Sequence, residues 1–218
     1  MRNRRPTILL TGFGPFPGMP VNASAEFVPE LAQRARAAFP QTAIHDAILP
    51  AQWNTAPLLL DALVTRHQPN LILHFGVARD CTGFRIETRA HNVCRQAEDV
   101  AGLMPASAYL FDNEPASHAA TLPVRAIVER LTGLGYPAAA SDDAGGYLCN
   151  AVLYHALRRT AGNHACRAGF IHIPADLSGQ ESKSALTFEA ALSGGLEIVR
   201  ACLDSDAVNV CYTGAELA

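Results

Sequence analysis

The chain has 218 residues, of which 49% are hydrophobic and 17% charged, a composition that can bury a sizeable core and excludes disordered and collagen-like polymers. The 17 Lys plus Arg stand against 20 Asp plus Glu, a formal net charge of −3 that gives no electrostatic basis for holding a phosphate backbone, so no nucleic-acid partner is expected. No window approaches the roughly 18 uninterrupted apolar residues of a membrane helix, and the apolar run after the basic start breaks at Thr11-Gly12, so neither a membrane span nor a secretory signal is expected.

Thr7 to Thr11 reads as a short buried strand ending in the Gly/Pro-rich turn Gly12-Phe13-Gly14-Pro15-Phe16-Pro17-Gly18. A helix follows, capped by Asn22 or Ser24, with Phe27, Leu31, Ala35 and Ala38 as its apolar stripe. The alternation repeats with a strand Ala43 to Leu49, a helix Thr55 to Arg66 and a strand Leu71 to Val77, and then gives way to a long irregular middle. Order resumes with a helix from about Val124 to Leu134, a strand Ala138 to Ser141, a helix from about Gly146 to Arg159, a strand Gly169 to Ile173 and a helix from about Ser184 to Leu203. Short strands separated by helices predict an α/β three-layer sandwich, a mainly parallel or mixed sheet with helices on both faces. No linker divides the sequence, so residues 1–218 read as a single domain.

The cysteines are Cys81, Cys94, Cys149, Cys166, Cys202 and Cys211, an even set with no C-x-x-C spacing in a chain without an export signal, so they read as reduced thiols of a cytoplasmic protein. No His pair has the three-to-five spacing of a structural zinc site, and no metal is expected.

In an open α/β sheet the functional groups gather beyond the carboxyl ends of the strands, which directs attention to Gly12–Gly18, Gly76–Asn92, Asp142–Cys149 and His172–Asp176. The glycines at 12, 14 and 18 miss the dinucleotide spacing by one, and Pro15 and Pro17 remove N–H donors that a phosphate cradle needs. Phe13 and Phe16 can therefore either join the core or wall a site for a small uncharged ligand. No Ser has Gly at both −2 and +2, so there is no nucleophile elbow.

Cys149 follows Asp142-Asp143-Ala144-Gly145-Gly146, acidic cap candidates and a Gly pair that place it in the first turn of a helix. There the dipole favours a reactive thiolate, whereas the other reading is the usual one for a Cys, a small apolar residue buried between helix and sheet. His172, in Gly169-Phe170-Ile171-His172-Ile173-Pro174, is either a base for Cys149 or a satisfied core histidine. Glu87, flanked by Arg85 and Arg89, is either a surface ion-pair member or the carboxylate that orients the imidazole.

Thr11-Gly12-Phe13-Gly14-Pro15-Phe16 with Val21-Asn22-Ala23-Ser24, Glu87 followed by Ala90-His91-Asn92, Asp143-Ala144-Gly145-Gly146-Tyr147-Leu148-Cys149-Asn150, and Gly169 to Pro174 together resemble the pyroglutamyl peptidase I family over about residues 7 to 176. The resemblance implies a cytosolic cysteine peptidase that removes N-terminal pyroglutamyl residues from peptides, without metal or cofactor. It makes Cys149 the nucleophile, His172 the general base and later acid, and Glu87 the orienting carboxylate. Phe13 and Phe16 would contact the pyrrolidone ring, and Val77, Tyr147 and Leu148 complete the expected substrate-binding set.

The chain also departs from the family's pattern. Val77 stands where many members have Gln, and Ala97 where some have Arg, with Arg95 the nearest substitute. Ala175-Asp176-Leu177 and the tail from Asp206 to Ala218 are not family-like. The low charged fraction is in keeping with a surface buried in a homo-oligomer. Two alternatives share the scaffold: a non-catalytic protein that binds a lactam or a peptide terminus, and a related cysteine amidase with altered specificity.

Overall fold

The computed structural model describes residues 5–162, 165–178 and 185–214, with side chains as far as Ser205. Strand β1 (Thr7–Phe13) leads through helix α1 (Ala23–Ala38) to β2 (Ala43–Leu49), and helix α2 (Thr55–His67) leads to β3 (Leu71–Ala78). Three short strands follow, β4 (Phe84–Glu87), β5 (Arg89–His91) and β6 (Ser117–Ala119). Helix α3 (Val124–Gly133), β7 (Ala138–Ser141), α4 (Leu148–Thr160), β8 (Arg167–Pro174) and α5 (Phe188–Gly214) complete the order.

The main sheet has six strands in the order β2-β1-β3-β8-β4-β7, parallel except that β4 runs against β8, with Arg85 opposite His172 and Ile86 opposite Ile171. Strands β5 and β6 form a separate antiparallel pair. Every residue of β1 and all but the last of β3 are buried, as central strands covered on both faces require. Side chains of β1, β3 and β8 alternate between two cores. One, under α1, α3 and α5, holds Ile8, Phe27, Phe75 and Ile171; the other, under α2 and α4, holds Leu9, Ile72, Leu153 and Phe170.

The chain leaves β1 toward β2 on one side and returns to β3 on the other, so the strand order reverses between β1 and β3. The crevice outside the carboxyl ends of these two strands is where such a sheet leaves room for a ligand.

Most expected elements lie within a few residues of their places, and the differences have local causes. Asn22 caps α1 by accepting the Ser24 N–H at 3.1 Å, but the buried stripe is Phe27, Val28, Leu31, Ala32 and Ala35, and Ala38 is exposed. Helix α4 begins at Leu148, because Gly145 takes a φ of +77° and Asp143 closes a turn onto the Gly145 N–H at 2.8 Å. The acidic residues Asp142 and Asp143 therefore do not cap it; Tyr147 occupies the N-cap position without a side-chain hydrogen bond. Helix α5 is described from Phe188, and Ser184 lies outside the described residues. The irregular middle contains β4, β5 and β6, three or four residues each and too short for a periodic signal.

Candidate active site

The expected catalytic residues come from three elements that converge above the second core. Helix α4 presents Cys149 in its first turn, β8 presents His172 near its carboxyl end, and β4 ends at Glu87. His172 Nδ1 and Glu87 Oε1 are 2.7 Å apart, and the Cys149 side chain hydrogen-bonds to the same imidazole. Glu87 is fully buried and is not part of a surface ion pair. Arg85 pairs with Asp80 at 3.0 Å instead, so the neighbouring arginines leave the Glu87 carboxylate to the histidine.

Burial alone would lower the His172 pKa, but the contacts with Cys149 and Glu87 outweigh it and push the value up to about 9. His74, also buried, behaves in the opposite way. Burial and the proximity of His155 lower it to about 3, and its Nδ1 is engaged with the Thr11 hydroxyl at 2.6 Å. The two rings lie on adjacent strands, yet their proton affinities are pushed in opposite directions, because only His172 has a carboxylate and a thiol beside it.

Gly76 explains how the thiol reaches the ring. It is the register partner of His172 on β3, and a Cβ there would stand 2.6 Å from Phe170 Cζ and 3.2 Å from Cys149 Sγ. Glycine lets the helix bring sulfur down onto the sheet. Asn150 fixes the same turn from the other side. Its Nδ2 donates to the carbonyls of His91 at 2.8 Å and Val93 at 3.2 Å, and its Oδ1 accepts the His91 N–H at 2.8 Å. No side chain caps the start of α4, which leaves its first-turn N–H groups beside the sulfur.

Next to Sγ lies a cavity of about 20 Å³ whose lining includes Phe13, Phe16, Gly76, Val77, Tyr147 and Leu148 along with Cys149 itself. All five expected substrate contacts line it. Phe13 is both a core residue and a wall, being 3% exposed and packed 6.1 Å from Phe170, whereas Phe16 is half-buried beside Tyr147. The walls carry no charged side chain.

The segment between β5 and β6 closes the rim. The Asp99 carboxylate accepts the N–H groups of Trp53 at 3.0 Å, Ala101 at 2.8 Å and Leu103 at 3.0 Å. The Trp53 ring meets Tyr147 edge-on at 5.1 Å, and the Tyr147 hydroxyl donates to the Glu98 carbonyl at 2.9 Å. Sequence reasoning gave no role to Gly76, Asn150, Trp53 or Asp99. Of these, only Gly76 and Asn150 lay in stretches singled out for their position in the fold or their motif.

Among the described residues no group of three or more His, Cys, Asp or Glu could hold a metal ion, and no helix is long and apolar enough to cross a membrane. Cys81, Cys94, Cys149, Cys166 and Cys202 are free thiols. The Cys211 side chain and those of the tail from Asp206 lie outside the described set.

The family model described as pyroglutamyl peptidase matches residues 6–194. A pyrrolidone-carboxylate peptidase of Vibrio vulnificus is 36% identical over 207 residues, covering 91% of this chain and 93% of that protein. One from Klebsiella pneumoniae is 34% identical over 206 residues, covering 91% and 95%. The crystal structure of Bacillus amyloliquefaciens pyroglutamyl peptidase I superposes with a TM-score of 0.79 at 29% identity, covering 91% of this chain and 97% of that one.

Proposed function

This chain belongs to the pyroglutamyl peptidase family, and on that premise we propose that it is a cysteine omega-peptidase that hydrolyses the bond after an N-terminal pyroglutamyl residue. The observation that carries the reading is the convergence of Cys149 on the buried His172–Glu87 pair, with the imidazole 2.7 Å from the carboxylate and hydrogen-bonded to the thiol. Cys149 is the nucleophile, His172 the acid and base, and Glu87 the group that orients the ring and stabilises its charge.

The thiolate sulfur of Cys149 attacks the pyroglutamyl carbonyl carbon. The carbonyl oxygen becomes an oxyanion beside the uncapped N–H groups at the start of α4, the Cys149 amide among them. The imidazolium gives its proton to the departing amine as the C–N bond breaks, which leaves a thioester. His172 then takes a proton from water, the hydroxide attacks the thioester, and the C–S bond breaks to release pyroglutamate and restore the thiolate–imidazolium pair.

The neutral lactam suits walls without charge, contributed by Phe13, Phe16, Val77, Tyr147 and Leu148. A free N-terminal ammonium is rejected, because burying it there without a partner is costly. At about 20 Å³ the closed cavity holds no more than a water-sized group, so the ring needs the walls to move apart. The chain works as one peptidase domain on N-terminally pyroglutamylated peptides, and its free thiols suit a reducing cytoplasm. Leu103 and Met104, each 52% exposed in one segment, support assembly into a homo-oligomer.

The deciding experiment is release of a fluorophore from a pyroglutamyl amide. Wild type should turn over, and Cys149→Ala should lose at least about 10⁴-fold. Full activity in that variant would end the assignment.

A further inference from the structure

Arg95 is a cation held at the rim of the site by its backbone and by an aromatic ring, with no carboxylate among the described residues as its partner. Its backbone N–H donates to the Gly146 carbonyl at 2.6 Å, and its guanidinium carbon lies 5.4 Å from the centre of the Tyr147 ring. Tyr147 is the residue before α4, two positions from Cys149, and its ring forms part of the cavity wall. Arg34, Arg85, Arg130 and Arg158 each hold a carboxylate, but no carboxylate among the described residues lies within ion-pairing distance of Arg95. Asp99, the buried carboxylate of the same segment, is saturated by three backbone N–H groups, and Glu98 is exposed and unpaired with it.

The segment is also rigid. Asn92 exchanges two hydrogen bonds with Phe111, at 2.8 and 3.0 Å, and the Cys94 N–H donates to Ala108 at 2.7 Å. An exposed guanidinium over an aromatic wall, on a pinned backbone and with no carboxylate partner among the described residues, is a hydrogen-bond donor placed for an anion.

We propose that Arg95 is a specificity-determining residue that recognises a carboxylate on the leaving-group side of the scissile bond. The inference rests on the peptidase reading above. With the pyroglutamyl ring in the cavity, the rest of the peptide must leave past the rim. One residue spans at most about 3.6 Å, so the carboxylates nearest the scissile bond on that side are the free C-terminus of a pyroglutamyl dipeptide and an acidic side chain in the residue after the bond.

The test uses two substrate pairs, pyroglutamyl-alanine against its C-terminal amide, and pyroglutamyl-glutamate amide against pyroglutamyl-glutamine amide. The kcat/KM ratio within each pair is measured for wild type, Arg95→Met and Arg95→Lys at low salt and at about 0.5 M salt. Wild type should favour the charged member of at least one pair by roughly two- to fivefold, and which pair does so identifies the carboxylate. Salt should collapse the preference, Arg95→Met should bring the ratio to about one, and Arg95→Lys should keep part of it. Ratios near one in wild type, or a preference that survives Arg95→Met, would overturn the proposal while leaving the peptidase intact. If wild type cleaves none of the four, the peptidase reading itself falls and takes the proposal with it.

Discussion

Gly76 and Cys149 stand so close that a methyl group on the first would lie 3.2 Å from the sulfur of the second. The same methyl would meet Phe170 Cζ at 2.6 Å, a distance at which something must shift. Gly76→Ala should therefore cost about 1–3 kcal/mol of stability by overpacking. It should lower kcat by about 10²-fold, because a nucleophile displaced by about 1 Å loses its alignment with base and carbonyl. A thermal melt beside a progress curve checks both, and a variant with wild-type kcat would show that the sulfur tolerates displacement.

The raised pKa of His172 makes a signed prediction. Its folded value of about 9 lies above the ordinary 6.5, so the protonated ring stabilises the fold fully below about pH 6.5, and that contribution is lost as pH rises through about 9. Activity that depends on the imidazolium should fall over the same alkaline limb. Glu87→Gln removes one of the two interactions that raise the value, so the limb should move to lower pH, as read from kcat/KM profiles or the ring's NMR titration. An unmoved limb would remove Glu87 from the orienting role.

Thiol reactivity should be ordered by environment. Burial pushes the Cys166 thiol up to about 11 and raises Cys81 and Cys94 as well, while Cys202 is fully buried. Cys149 is half-exposed, at a helix start and beside a protonated ring. Stoichiometric iodoacetamide at neutral pH should label Cys149 first, with loss of activity in proportion, as mapped by mass spectrometry. Faster labelling at any of the others would contradict this.

The two phenylalanines should separate by kinetics. Phe13→Ala empties a core position and should cost about 3–5 kcal/mol. Phe16→Ala removes a half-buried wall, so it should leave the melting temperature nearly in place and raise KM for a pyroglutamyl amide.

What the sequence made legible follows physical lines. Helix α1, its Asn22 cap and strands β1, β2 and β3 could be read because periodicity and capping are local signals. Cys149 stood out because a Gly pair announces the start of α4. The region from 84 to 119 could not be read in this way. Its strands are three or four residues long, and its loops are held by Asn92, Asp99 and Asn150 through contacts distant in sequence. Glu87 shows the limit most clearly. Flanked by two arginines it has the profile of a surface residue, and only the sheet, which sends Arg85 to Asp80, buries it against His172.

Strand β4 runs against its neighbour, and the meeting of Glu87 with His172 depends on the phase in which the two strands are paired. Side chains on a strand alternate, so gaining or losing one residue between positions 79 and 83 would turn the carboxyl into the greasy layer beneath α3 and α5 and leave the imidazole facing Ile86. The count of residues in that connector is therefore constrained by the strand pairing, and so is Gly83 within it, where a Cβ would clash with the Pro137 carbonyl oxygen. Its length, together with that glycine, is what descendants of this gene must keep.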